Sequence, residues 1–102
     1  MITAFIQFTP PAPVPVDRHA ELARANAPLY QDKPGLIRKY YVRSEDGTTV
    51  GGIYLWESRE AAEATYDDAW HERVTEAYGS PPSITYLPTP VVVDNRHGET
   101  VE

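Results

Sequence analysis

The chain contains no cysteine. That excludes disulfides, thiolate zinc sites, cysteine-ligated iron–sulfur clusters and cysteine nucleophiles. Basic charge is also scarce. Nine Lys and Arg stand against fifteen Asp and Glu, for a net charge of -6, and no basic run occurs. A phosphate backbone is repelled by such a chain, so nucleic acid is not an expected partner. The surplus acid reads as a solubility feature. No apolar run approaches the roughly 18 residues that a membrane helix needs. The opening MITAFIQFTPP lacks the basic segment and long apolar core of a secretory signal. A cytoplasmic protein with no membrane partner is the expectation. Gly-rich phosphate loops, nucleophile elbows and H-E-x-x-H are all missing, which leaves nucleotide, Rossmann-flavin and hydrolase chemistry without support. Asp67 and His71 are spaced i, i+4, but two ligands do not make a metal site. No metal is expected.

What the chain has in quantity is proline and tyrosine, ten and seven in 102 residues. Pro10, Pro11, Pro13 and Pro15 form one cluster, and Pro81, Pro82, Pro88 and Pro90 another. Proline cannot donate to a β-ladder, so these clusters mark strand ends. Residues 2–9, ITAFIQFT, alternate as a strand. Asp17 is suited to cap a helix over RHAELARANA, which Pro28 ends or kinks. DKPG at 32–35 is a turn. LIRKYYVRS (36–44) and TVGGIYLWE (49–57) are strands joined through Asp46-Gly47, the signature of a two-residue hairpin turn. Ser58 caps a helix over 59–78 with an apolar stripe at Ala62, Tyr66, Ala69, Trp70, Val74, Ala77 and Tyr78. Gly79 and Pro81 end it, SITYLPT (83–89) is a fourth strand, 90–95 is extended and 96–102 is a mobile tail.

The order β-α-β-β-α-β over residues 1–95 predicts one α+β, ferredoxin-like domain: an antiparallel four-stranded sheet with two helices on one face. The other face needs a cover. In so short a chain the expected cover is a second copy, packed sheet on sheet as a homodimer.

With Asp46-Gly47 at the turn, Glu45 pairs with Thr48, and the register runs Tyr41 opposite Gly52, Lys39 opposite Tyr54 and Ile37 opposite Trp56, all on one face. Arg38 falls on the other face, as a candidate intermolecular ion-pair partner. Gly52 then opens a notch walled by Tyr54 and Trp56, where a planar molecule can lie. Alternatively, Gly51-Gly52 is a bulge that twists the hairpin. Lys39 either anchors and polarises a substrate oxygen, with Tyr41 beside it, or snorkels to water. Tyr66 and Trp70 either pack the core or contribute polar tips to a small-molecule pocket. His71 is a candidate general base; its bland alternative is an exposed helix residue. The candidate catalytic set is therefore Lys39, Tyr41 and His71, and the candidate substrate-binding set is Gly52, Tyr54, Trp56, Tyr66 and Trp70.

GLIRKYYV (35–42) followed by GGIYLWESREAAEA (51–64) resembles the mono-oxygenase family typified by YdhR. The resemblance runs from the first strand to the fourth. It implies a dimeric α/β barrel, and oxygenation of a small hydrophobic aromatic or polyketide-like substrate with no cofactor, neither metal nor flavin. It carries over no catalytic residues. The same barrel hosts polyketide cyclases, lactone isomerases, haem-degrading enzymes and proteins of stress responses, so a cyclase, an isomerase or a non-catalytic binding dimer stands as the alternative.

Overall fold

Alternation in ITAFIQF builds β1, Ile2–Phe8, whose Ile2, Ala4, Ile6 and Phe8 are buried while the residues between them are only half covered. The computed structural model describes Met1–Glu102. After the proline-rich connection comes α1, Val16–Asn26, which starts at Pro15 with no side-chain cap. Asp17, expected as the cap, lies instead in the first turn, where its charge still meets the positive end of the helix dipole. Pro28 sits in a single 3-10 turn, Ala27–Leu29, that ends the helical segment. The hairpin strands are β2, Leu36–Arg43, and β3, Val50–Trp56.

The helix expected over 59–78 is two helices, α2 at Arg59–Thr65 and α3 at Asp68–Tyr78. Ser58 caps the first by accepting the Ala61 N–H. The interruption has a local cause: the Asp67 carboxylate accepts the Trp70 N–H at 2.8 Å and starts a new helix, with Tyr66 non-helical before it. Gly79 ends α3 at φ 70°. The fourth strand is β4, Ser83–Pro88. Beyond it, the segments expected to be extended and then loose form a hairpin of β5, Val92–Asp94, and β6, Glu99–Val101. Asp94 organises its turn by accepting the N–H groups of Arg96 and His97.

The main sheet runs β2-β3-β1-β4 and is antiparallel throughout, as a ferredoxin-like fold requires. Its inner face carries Ile2, Ala4, Ile6, Phe8, Val50, Tyr54 and Trp56, which pack on Ala62, Tyr66, Trp70 and Val74 of α2 and α3. The β5–β6 hairpin touches the outer face, where Arg38 reaches Asp94 at 2.9 Å. Arg38 therefore has an ion-pair partner within its own chain. No helix is long and apolar enough to cross a membrane.

Lys39 pairs with Tyr54 and Tyr41 with Gly52, as expected. The turn differs. Ser44 donates to the Thr49 carbonyl at 2.8 Å and Gly47 to the Ser44 carbonyl at 2.9 Å, so residues 45–48 form a four-residue loop. It has the same centre as a two-residue turn at 46–47, and the register survives. Farther along, a bulge between Leu36 and Arg38 sets Leu36, not Ile37, opposite Trp56. Ile37 is turned outward and 44% exposed. The bulge thus lies in β2, while pairing across Gly51 and Gly52 is unbroken on both sides.

The two glycines have different causes. A Cβ on Gly51 would stand 1.9 Å from the Ile6 carbonyl oxygen, so β1 backbone occupies that space. A Cβ on Gly52 would stand 2.8 Å from Tyr54 Cε1 and 3.2 Å from Lys39 Cε, which are side-chain atoms able to shift. Gly51→Ala should cost about 3 kcal/mol or more, and Gly52→Ala about 1–2 kcal/mol, as overpacking of a fixed and of a yielding neighbour. Urea unfolding midpoints of the two variants check the order; equal losses would remove the distinction.

Candidate active site

The space left above Gly52 is part of a cavity of about 140 Å³ between the inner sheet face and the helices. Its lining includes Asn26 from α1, Tyr30 after the 3-10 turn, Lys39 and Tyr41 from β2, Tyr54 from β3 and Arg73 from α3. A second hollow of about 100 Å³ adjoins it, sharing Leu22, Tyr41, Ala77 and Tyr78 and adding His19.

Lys39 is the centre of this arrangement. Its Nζ lies 3.5 Å from the Tyr30 ring centroid, 4.0 Å from that of Tyr41 and 4.5 Å from that of Tyr54. Its hydrogen-bond acceptor is Asn26 Oδ1 at 3.5 Å. The Tyr41 hydroxyl donates to the same oxygen at 2.6 Å. Burial pulls the Lys39 pKa down to about 7, and the Arg73 charge acts in the same direction. The ring faces favour the ammonium and oppose that pull. The result is an amine poised between its two protonation states near neutral pH. Burial acts oppositely on the phenols and pushes Tyr41, Tyr54 and Tyr78 up, which keeps them neutral donors.

Behind the cavity stands an aromatic wall. Trp56, fully buried, donates Nε1–H to the Tyr66 hydroxyl at 3.0 Å, and Trp70 donates to the Tyr30 hydroxyl at 3.1 Å. Tyr54 meets the Tyr66 and Tyr30 rings edge-on, at 5.4 and 5.7 Å. These contacts satisfy the polar tips and fix the rings.

The structure thus brings Lys39, Tyr41, Gly52 and Tyr54 together on the cavity. Trp56, Tyr66 and Trp70 sit one layer behind, in the core. His71 packs edge-on against Trp70, with centroids 5.0 Å apart, and does not line the cavity. Asn26, Tyr30 and Arg73 were not anticipated. Leu22, Asn26 and Tyr30 follow at intervals of four, a spacing that marks one helix face. No cluster of three or more His, Asp or Glu side chains is placed to hold a metal ion.

The family model described as "Putative mono-oxygenase ydhR" matches residues 5–83. The chain belongs to this family. No curated protein matches it. Among solved structures, a monooxygenase from the gene ActVA-Orf6 of Streptomyces coelicolor, in complex with Nanaomycin D, is similar at a TM-score of 0.66 and 24% identity, covering 91% of each chain. NE2512 of Nitrosomonas europaea, a protein of unknown function, is similar at 0.64 and 16% identity, over 89% of this chain and 90% of its own. A mutant of SnoaB from Streptomyces nogalater, a cofactor-independent oxygenase, is similar at 0.62 and 16% identity, over 90% of this chain and 95% of its own. At these identities the likeness shows the shared fold.

The Lys39 shift has a consequence for stability. With a pKa of about 7 in the folded state against 10.5 for the free side chain, the unfolded chain holds the extra proton between those values, so stability rises with pH from 7 toward 10. Above that range the buried tyrosines oppose further gain. The wild-type unfolding free energy minus that of Lys39→Met should increase across pH 7–10, by about 1 kcal/mol or more. Urea unfolding at stepped pH measures it; a flat difference would mean that Lys39 titrates normally.

Proposed function

We propose that the chain oxygenates a small phenolic aromatic in the cavity beside Lys39, using the substrate's own electrons and no metal or flavin. The observation that carries this reading is a near-neutral amine inside an aromatic-lined cavity. A neutral Lys39 takes a proton from a substrate whose phenol or activated CH₂ leaves an electron-rich anion. The resulting ammonium lies against that anion and stabilises it. Molecular oxygen accepts electrons from the anion and forms a C–O bond, giving a peroxide that the Lys39 proton neutralises. Loss of water from the hydroperoxide leaves a carbonyl. One oxygen atom ends in the product and the other in water; the carbon supplies the four electrons that O₂ takes up. Asn26 holds the Tyr41 hydroxyl at the edge of the cavity, as an orienting group. The names of two structural relatives, a monooxygenase with a bound ligand and a cofactor-independent oxygenase, support the same reaction class.

The same reading includes a homodimer through the sheet face turned away from the helices. Tyr40 and Leu87 are each 49% exposed there, and Phe5, Val42 and Ile53 are only half covered. Sedimentation should give twice the 11.4 kDa chain mass, and Ile53→Asp should return the monomer, because a carboxylate in an apolar contact is unpaired.

Hydroquinones and other one-ring phenols are the first substrates to test, with naphthols and anthrones as larger comparisons, by oxygen uptake of metal-stripped protein with mass spectrometry of the products. Uptake should rise with pH through about 7, the Lys39 midpoint, since the neutral amine is the active form. Lys39→Met should lower the rate about 100-fold or more. A parallel His71→Ala variant separates the two candidate bases: a comparable loss there would move the role to His71. Ligand binding with turnover independent of oxygen would replace the oxygenase with a cyclase or isomerase.

A further inference from the structure

The cavity holds cations and no anion. Lys39 and Arg73 line it, while neither it nor the adjoining hollow has a single Asp or Glu in its wall. This occurs in a chain with fifteen acidic residues. A buried ammonium is ordinarily paired with a carboxylate. Lys39 instead has three ring faces and one amide oxygen, the latter at the limit of hydrogen-bond distance, 3.5 Å. An ammonium carries three N–H donors, so donor capacity is left over beside the cavity.

We infer that the site takes a planar monoanion of one aromatic ring, with its charged oxygen on Lys39 and within the field of Arg73: the phenolate that forms when Lys39 takes a phenol's proton, which the carboxylate of benzoate mimics. The size follows from the volume. About 140 Å³ is close to the engineered cavity of about 150 Å³ that accepts benzene. The adjoining 100 Å³ accommodates a ring substituent rather than a further fused system. Tyr30, Tyr41, Tyr54 and Tyr78 give the cavity an aromatic lining, which suits a planar ring. This inference rests on the oxygenase reading only in naming its substrate; anion binding stands without it.

The groups that face Lys39 in the cavity are Tyr30, Tyr41 on β2, Tyr54 on β3, and Arg73 and Tyr78 on α3, with His19 of α1 in the adjoining hollow; Asp32 and Arg38 share a separate hollow with Lys39, Tyr30 and Tyr41 and do not line the cavity. The ligand is thus the one negative charge within the cavity at neutral pH, and binding it raises the proton affinity of Lys39. Affinity should be level below pH 7, where Lys39 already carries its proton, and weaken about tenfold per unit above it.

The probes are benzoate, benzamide and benzylamine, matched in size and differing in charge, titrated calorimetrically into the full chain in buffers of different ionisation enthalpy. Benzoate should bind at least tenfold tighter than benzamide, benzylamine should not bind, and at pH 8 benzoate should take up a large fraction of one proton. Lys39→Gln should remove both the preference and the uptake. Arg73→Gln, at an exposed position, should weaken benzoate several-fold without touching benzamide. If Lys39→Gln fails to fold, the three-probe series and the proton uptake of the wild type decide. Equal affinity for benzoate and benzamide, or binding of benzoate without proton uptake, overturns the inference. Benzoate binding with uptake, but no oxygen consumption on hydroquinones or other one-ring phenols, leaves the anion site and removes the oxygenase. Oxygen consumption together with indifference to probe charge does the reverse.

Discussion

Two adjacent residues of β3 without side chains set the geometry on which the site depends. At Gly51 the β1 backbone comes to where a Cβ would be, 1.9 Å from the Ile6 carbonyl oxygen. No other residue type permits that approach without moving a strand. It joins β1 tightly to the hairpin that carries Lys39, Tyr41 and Tyr54. Gly52, next along and facing the helices, vacates the room into which the Lys39 stem and the Tyr54 ring fold. One glycine brings two strands together; the other lets a charged side chain lie down inside the sheet's inner face rather than stand out from it. The lysine sits among tyrosine rings because the strand beneath it is bare.

The aromatic wall makes that position rigid. Trp56 and Trp70 are large enough to fill the layer between sheet and helices, and each donates its indole N–H to a tyrosine hydroxyl, that of Tyr66 in the core and that of Tyr30 on the cavity wall. No buried side-chain polar atom lacks a partner. Such a network gives one arrangement rather than several, since any alternative packing strands an N–H in an apolar layer. The helix break at Tyr66–Asp67 belongs to the same design. An unbroken helix from 59 to 78 would carry Tyr66 and Trp70 on a fixed spiral. The interruption lets Asp67 restart the helix while Tyr66 turns onto Trp56 and Trp70, with Tyr66 and Trp70 centroids 4.6 Å apart.

Much of this was legible because it rests on patterns with a fixed period. Strand alternation, the two proline clusters and the helix stripe determine the β-α-β-β-α-β order. The pairings of Lys39 with Tyr54 and Tyr41 with Gly52 follow from counting back from Asp46-Gly47. What escaped depends on single side chains choosing between competing partners. Asp67 reads equally well as a surface residue of one long helix and as the cap of a second. The β2 bulge at Ile37 leaves no mark in composition. Asn26 and Tyr30 come from a segment that Pro28 had set aside as a helix end, and only the folded end of α1 and the 3-10 turn after it carry them over Lys39. His71 is the opposite case: a residue type suited to proton transfer, placed by the same stripe that puts Trp70 inward, and held beside Trp70 and off the cavity. The segment 96–102 has tail-like composition, and its pairing comes from Asp94, which joins its own turn to Arg38 across the sheet.

A half-buried lysine with no carboxylate in its cavity is a cost the fold did not need to bear. Methionine or leucine would fill the same volume above Gly52, and taking an ammonium even partly out of water costs free energy. Each ring face returns roughly 0.5–2 kcal/mol, and the long contact to Asn26 adds little. The remainder is stability withheld from the folded state and recoverable in two ways: by losing the proton, or by gaining an anion. The first makes Lys39 a base near neutral pH. The second makes it a binding group for the anion that its own action as a base produces. Both uses draw on the same imbalance, so a substrate that arrives neutral and becomes negative relieves the strain at the step where relief is useful. Pairing Lys39 with a glutamate would make the protein more stable and would remove both properties at once.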